Sequence, residues 1–368
     1  MKLTVRKEEL LHGMKTVQNA VPAKAQYPVL LNVLFQASPK GLRVTATDMD
    51  LMIACAVTAE VETVGAMAVP PKKFEKFIRS LSPEALVTLE GVADGEMTVT
   101  SSGSRCSLRC LPAEDFPVIP EFNEQVSFWV PVAPLLFVLR RTAFSASTDE
   151  TRYMLNGVHL TIADKKVKAA ATDGARRLAV SSQALESDAP ALAAIIPNKA
   201  VAAFLHTMGD SEEGQKVQVT VASNLIAFKR GGLIVASRLI EGRYPQYEHA
   251  IPKESNIVIE GPKADFTSLV QRATIGAERL AVVSLSLEQN VMRIKSGNGL
   301  RIKIENPIPI EYAGAPFSIS FNGTYFLDTM KAIAADEVAL QFSKPLGPII
   351  IKPTDSEDTF YLIMPFRA

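Results

Sequence analysis

"TATDMDLMI", Thr45 to Ile53, and "AATDGARRL", Ala170 to Leu178, carry Ala-Thr-Asp in the same frame 125 residues apart. An alternating apolar run precedes each, so each reads as a strand ending in a tight turn, capped by the side chain of Asp48 in one and Asp173 in the other. A third string in this frame, "KSGNGLRIK" from Lys295, follows another 125 residues on. Self-similarity at a fixed period across a 368-residue chain predicts three copies of one domain rather than a single fold.

The copies agree outside these turns. Each opens with a strand feeding a helix: "LTVRKEELLHGMKTVQNAV" with Leu10, Leu11, Met14 and Val17 on one stripe, "FWVPVAPLLFVLRRTAF" with Leu135, Leu136 and Leu139, and "IVIEGPKADFTSLVQRATI" with Phe266, Leu269 and Val270. A second helix follows an apolar strand in each, starting near Pro70, Pro197 and Asn322. Period-two runs broken by turn residues then predict hairpins. They are "LVTLEGVADGEMTVTSSGSRCSLRCL", "KVQVTVASNLIAFKRGGLIVASRLI" and "VALQFSKPLGPIIIKPTDSEDTFYLIM". The predicted class is α+β with two short helices per copy. The polar, proline-bearing connectors "PEFNEQVS" and "IPKESN" set the expected domains at 1–125, 126–253 and 254–368.

Composition narrows the function. Hydrophobic residues make up 47% and charged residues 21%, the balance of a folded soluble chain, and 39 basic residues offset 39 acidic ones. A neutral total does not advertise nucleic-acid binding, although it can hide a basic face opposite an acidic one. The N-terminus carries charges where an export signal needs an apolar core. The longest uncharged apolar stretch, "FWVPVAPLLFVL", has 12 residues and two prolines, too short and too broken to span a bilayer. A cytoplasmic location without membrane contact is expected. Cys106 and Cys110, four apart in "SRCSLRC", are expected to share one face as buried thiols, not as half of a metal site.

The sharpest catalytic pattern is the pair Asp48 and Asp50, since D-x-D after a strand can place a nucleophile beside an acid. The second copy has Ala175 where the first has Asp50, and "LRVTAT" alternates instead of running continuously apolar as a buried parallel strand does. The four histidines fall at unrelated places in the copies, and Gly231-Gly232 and Gly297 to Gly299 read as turns without phosphate-loop spacing. Binding without catalysis, and with neither cofactor nor metal, is the expectation.

"TRYMLNGVHL" from Thr151, "AATDGARRLAV" from Ala170, "IEGRYPQY" from Ile240, "FNGTYFLD" from Phe321 and the terminal "YLIMPFRA" together resemble the bacterial DNA polymerase III beta subunits, the sliding clamps, from residue 1 to residue 368. The resemblance implies three DNA-clamp domains per chain and a head-to-tail homodimer closed into a six-domain ring. Duplex DNA would thread the ring and be held without sequence preference. It also implies partners carrying clamp-binding peptides: the DNA polymerase III alpha subunit, the clamp loader, other polymerases and repair proteins. The family's DNA contacts carry over best to Lys24, Arg152 and Tyr153, and Lys72, Lys73, Arg79 and Lys199 join them as DNA-binding candidates, being basic residues on or beside the helices. Lys7, Lys15, Arg140, Arg141 and Lys331 are further basic positions on the helices.

The implied peptide pocket takes Arg152, Met154, Leu155, Thr172, Gly174, Arg177, Leu178, Pro245, Asn322, Tyr325, Leu346, Pro348, Leu362, Ile363, Met364, Pro365, Phe366 and Arg367. Ring closure would bring Cys106 and Leu108 on one edge to Ile275 and Gly276 on the other. One departure stands out. The family pattern Thr-Asp-Gly-His-Arg-Leu is here Thr-Asp-Gly-Ala-Arg-Arg-Leu, one residue longer, with Arg176 or Arg177 in the usual arginine's place. The extra residue is expected to bulge the strand. An altered pocket would suit a specialised duplicate clamp that binds a drug or a single partner, the alternative to a replicative clamp.

Overall fold

Residues 1–92, 95–117, 126–209, 214–275, 281–296 and 304–366 are described by a computed structural model. The first copy runs β1 (Lys2–Arg6), α1 (Lys7–Val17), β2 (Val33–Ser38), β3 (Gly41–Thr47), β4 (Leu51–Val57), β5 (Ala59–Thr63), β6 (Gly65–Val69), α2 (Pro71–Ser80), β7 (Leu86–Gly91), β8 (Glu96–Ser101), β9 (Ser104–Arg109) and β10 (Leu111–Pro112). The second runs β11 (Val126–Pro131), α3 (Val132–Thr142), β12 (Gly157–Ala163), β13 (Lys166–Thr172), β14 (Arg177–Ala184), β15 (Leu192–Pro197), α4 (Asn198–Met208), β16 (Lys216–Val221), β17 (Leu225–Arg230) and β18 (Leu233–Arg238). The third runs β19 (Ile257–Pro262), α5 (Lys263–Ala273), β20 (Val282–Glu288), β21 (Val291–Ser296), β22 (Glu305–Pro309), β23 (Phe317–Asn322), α6 (Gly323–Ala332), β24 (Glu337–Phe342), β25 (Ile349–Pro353) and β26 (Thr359–Ile363). The α+β plan with two helices per copy is therefore observed. Among the described residues no helix is long and apolar enough to cross a membrane.

The chain forms two compact bodies, and both cut through the second copy. The first holds residues 1–132 and 199–239, the second 133–198 and 240–368. In the first body a nine-stranded sheet has the order β10-β6-β2-β3-β4-β18-β17-β16-β11, and a five-stranded sheet has the order β5-β1-β7-β8-β9. β4 of the first copy pairs with β18 of the second, Ile53 opposite Val235. In the second body an eight-stranded sheet, β15-β12-β13-β14-β26-β25-β24-β19, joins the copies in the same way, with Leu178 of β14 opposite Leu362 of β26. Its other sheet is β22-β21-β20-β23. The rule is thus stated twice: the strand after the Thr-Asp turn of one copy pairs with the last hairpin strand of the next.

Helices cover these sheets through narrow apolar stripes. Pro71 starts α2 with its φ already set, and Phe74 and Ile78, one turn apart, are fully buried, Phe74 edge-on to Phe35 at 5.3 Å. In the second body Phe266, Leu269 and Val270 of α5 and Phe326 and Met330 of α6 share one core with Phe321, Phe342, Ile351 and Tyr361. Asn322 caps α6, its Oδ1 accepting from the N–H groups of Thr324 and Tyr325.

Two sequence expectations change here. Cys55 and Cys110 are buried, with burial pushing the Cys110 thiol up to about 11, but Cys106 on the edge strand β9 is only half-buried, and Cys110 lies past the end of that strand. The extra residue of "TDGARRL" does not bulge β14, which stays in continuous register with β13 from Lys166 opposite Ala184 to Thr172 opposite Leu178. The turn absorbs it: Thr47 opposes Met52 in the first copy, whereas Thr172 opposes Leu178 in the second.

Candidate functional site

The two Thr-Asp turns are built alike. In each a threonine hydroxyl closes the turn, Thr47 donating to the Leu51 carbonyl at 2.9 Å and Thr172 to the Arg177 carbonyl at 2.7 Å. The next residue but one has positive φ, 82° at Met49 and 77° at Gly174. Asp48 Oδ1 accepts from Asp50 and Leu51, and Asp173 Oδ1 accepts from Ala175, Arg176 and Arg177. The added residue is therefore held by one more N–H on the same carboxylate. The other oxygen of Asp48 meets Lys199, and Asp50 is solvent-exposed within 3.6 Å of Arg238. Both oxygens of Asp48 are thus engaged in holding the turn and its ion pair.

Around the second turn, pleat and pairing bring together residues far apart in sequence. Leu178 and Leu362, cross-strand partners, lie in one apolar cluster with Val180 and Tyr247, against Tyr244, Ile251 and Phe360. Period two then carries Met364 to the same side, 37% exposed, with its N–H donating to the Arg176 carbonyl. Ile363 points the other way into the α5–α6 core, so its expected place in the pocket is corrected by the pleat. Gly174 holds the positive φ that Met49 holds in the first turn, and a Cβ there would come within 2.6 Å of Leu155 Cδ1 and push that side chain away. Leu155 is thereby held against the turn, Arg152 Nη1 donates to the Asp173 carbonyl at 3.2 Å, and Met154 lies against Gly242.

The two arginines have different surroundings. Arg177 opens β14 half-buried, donates to the Ala146 carbonyl at 3.2 Å and lies 4.9 Å over the Tyr325 ring. Its buried Nε has no hydrogen-bond partner and stands 3.9 Å from Asp173 Oδ2. Arg176 is exposed and sits over Phe366 at 5.2 Å. Asn322 is buried and spent on the α6 cap, so it acts by fixing Tyr325. Leu346 (66% exposed) and Pro348 lie in the β24–β25 connection, Pro245 is exposed, and Pro365 is partly buried after β26. Arg367 falls outside the described residues.

Two tyrosines were missed by sequence reasoning. The Tyr244 hydroxyl accepts the Thr172 N–H at 3.0 Å, and its ring stacks on His159 at 5.0 Å and meets Tyr247 edge-on at 6.4 Å. Burial pushes both phenols well above their usual range. Tyr247 packs with Leu178 and Leu362, and Tyr244 lies against that cluster. "YPQY" was legible as a motif, but its contact with the turn 72 residues away was not.

The basic positions divide. Lys24 in the loop before β2, Lys72 and Lys73 on α2, Lys15 on α1 and Arg140 on α3 are exposed. Lys76 shares the exposed face of α2 with Lys72, a helical i, i+4 spacing that could have found it. Arg79 pairs with Glu75, Lys331 with Asp328, and Lys199 with Asp48. Lys7 is corrected: its ammonium donates to the carbonyls of Arg79 and Leu81 and so caps the end of α2. Arg141 is corrected too, being only 7% exposed, paired with Asp355 at 3.1 Å and packed on Phe137. Arg152 pairs with Asp149 at 3.6 Å beside the exposed Tyr153. Hydrogen bonds from Thr151 hold the Asp149 carboxyl below the usual range. On the edge strand β9, Leu108 turns inward while Cys106 is partly open. Ile275 is 52% exposed after α5, and Gly276 lies outside the described residues.

Repeated two-helix units whose sheets run from copy to copy are the architecture of the DNA clamps. Family models of the DNA polymerase III beta subunit match in order: the N-terminal domain over residues 1–120, the central domain over 130–246 and the C-terminal domain over 248–367. The beta sliding clamp of Salmonella typhimurium is 31% identical, with all of both chains covered. The crystal structure of the Bacillus subtilis DNA polymerase sliding clamp superposes with a TM-score of 0.92 at 26% identity, covering 100% of this chain and 99% of that one. The Pseudomonas aeruginosa clamp bound to griselimycin superposes at 0.93 with 26% identity and full coverage of both. The chain belongs to the DNA polymerase III beta subunit family, the beta sliding clamps.

Proposed function

We propose that two copies of this chain close head to tail around duplex DNA and dock partner peptides on the strip formed by Leu155, Leu178, Leu362, Met364, Arg177 and Tyr325. The observation that carries the ring is the pairing rule. β4 accepts the last hairpin strand of the second copy and β14 that of the third, which leaves β9, the last hairpin strand of the first copy, at a sheet edge among the described residues. Its counterpart is the edge that holds β22, and the pair forms only between two chains. Cys106 with Ile275 and Gly276 belongs to that seam. The domains are read as 1–125, 126–253 and 254–368.

Topology then replaces affinity. A closed ring needs only weak phosphate contacts, from Lys24, Lys72, Lys73, Lys76 and the neighbouring Arg79, Arg152, Tyr153 and Lys199, to keep the duplex centred. The strip suits short linear peptides because two buried leucines make a floor, a partly exposed, unbranched methionine makes one wall, and Arg177 brings an unsatisfied buried N–H. The polymerase III alpha subunit, the clamp loader, and other polymerases and repair proteins are the partner class, in the cytoplasm, with no reaction catalysed by the chain. The test is mass in solution over a dilution series, paired with retention on circular against linear DNA. A dimer of twice the 39.9 kDa chain that is held on circles and slides off linear ends is expected. A monomer throughout micromolar concentrations would end the ring reading.

A further inference from the structure

The eight-stranded sheet of the second body has two faces. Ile349, Ile351, Tyr361 and Ile363 point into the α5–α6 core, so alternation sends Ile350, Phe360 and Leu362 to the other side. The register lines residues up across that side: Leu178 opposes Leu362, Leu362 opposes Ile350, Ile350 opposes Gln341, and Gln341 opposes Val258 on the edge strand β19. The apolar floor of the strip therefore continues across the sheet. Val258, at the far end of the row, is 46% exposed.

A cleft of about 620 Å³ opens on this face, between the sheet and the chain segment 247–255. Val180, Ile350, Phe360 and Val258 line it from the strands, and Tyr247 and Ile251 from the segment. Tyr247 also packs with Leu178 and Leu362, so one ring is shared by the strip and the cleft. Charged and apolar ligands need weighing against each other. Of the lining charges, Lys168 pairs with Glu248 at 3.8 Å and Asp358 with Lys166 at 3.2 Å. No ion pair among the described residues takes Lys253, Lys352 or Glu357, which leaves a surplus of one positive charge beside water, too little to select a ligand. Burial of an apolar side chain outweighs it.

We propose that the cleft seats a bulky apolar side chain from the stretch of partner peptide that flanks the strip-bound anchor, packed on Ile350 and Val258. This rests on the strip reading above and adds an outlying contact to it. From β26 through β25 and β24 to β19 is roughly 14 Å at the usual strand spacing, and an extended chain covers that in about four residues. The gain is smaller than full burial would give, because the linking residues lose freedom as they are ordered.

The experiment is fluorescence anisotropy with the full-length protein and labelled peptides bearing two bulky apolar residues. One peptide is short; the others extend it at one end or the other by about five residues, with leucine or serine about four places from the anchor. At one end the leucine peptide should bind about fivefold more tightly than its serine counterpart, and the gain should persist in about 0.5 M sodium chloride. V258Q should remove the gain and leave short-peptide binding as it is. L86Q, at an exposed apolar residue of the first body, should change neither. If the short peptide binds but leucine and serine extensions match, if V258Q keeps the gain, or if salt abolishes it, the cleft proposal is overturned and the strip stands. If the short peptide fails to bind, the strip reading falls and the cleft proposal with it.

Discussion

Replacing Asp173 with alanine removes one acceptor atom that holds a five-residue turn. Its Oδ1 takes the N–H groups of Ala175, Arg176 and Arg177 at 3.1, 2.8 and 3.1 Å. Hydrogen bonds to a charged acceptor are worth about 1.5–3 kcal/mol each, but the N–H groups of exposed Ala175 and Arg176 regain water when released. A net loss of about 2 kcal/mol remains, chiefly at Arg177, which also loses the carboxylate beside its buried Nε. Freed, the Arg177 side chain leaves Tyr325 and the Gly174 turn shifts off Leu155, so the strip loses two walls. The expected result in fluorescence anisotropy with a labelled peptide bearing two bulky apolar residues is a Kd raised about tenfold, equal to about 1.4 kcal/mol. Asp173→Asn keeps a neutral acceptor and should lose about half as much free energy. If Asp173→Ala binds the peptide as tightly as the parent while Met364→Ala does not, the turn does not support the strip.

Met364→Ala removes a partly exposed side chain and should change stability by under about 0.5 kcal/mol while weakening peptide binding by about 1–2 kcal/mol; Leu178→Ala, which empties the buried floor, should cost about 2–5 kcal/mol of stability by denaturant titration. Equal effects from both would contradict the division between wall and floor. Iodoacetamide at pH 8 should modify Cys106 well before Cys55 and Cys110, whose thiols are buried and raised, and Cys106 should react more slowly as concentration drives dimerisation. A Cys106 rate independent of concentration would remove it from the seam. Burial, the larger cause, lowers the His159 pKa below its usual 6.5, so the unfolded chain binds more protons than the folded one as pH falls. Stability should therefore decline as pH drops below about 6.5 and level off below the folded-state value, and His159→Gln should flatten that slope in thermal melts at stepped pH.

Much of this was written in the chain. The period of 125 residues, the stripes Leu10–Met14–Val17 and Phe266–Leu269–Val270, and the capping aspartates follow from local geometry, because a helix or turn repeats its needs wherever it recurs. The peptide strip was only half legible. Alternation places Leu362 and Met364 on one face and Ile363 on the other, yet which face meets Leu178 depends on the β14–β26 register, set by residues nearly two hundred positions apart. The fates of Lys7 and Arg141 were invisible for the same reason. A lysine at a helix start and an arginine at a helix end look solvated until the carbonyls of Arg79 and Leu81, or the carboxylate of Asp355, are folded against them. Sequence determined the unit and its three repetitions. Tertiary structure decided how the units share sheets, because hydrogen bonding along a strand edge fixes a partner's register without leaving a mark in either strand's own pattern.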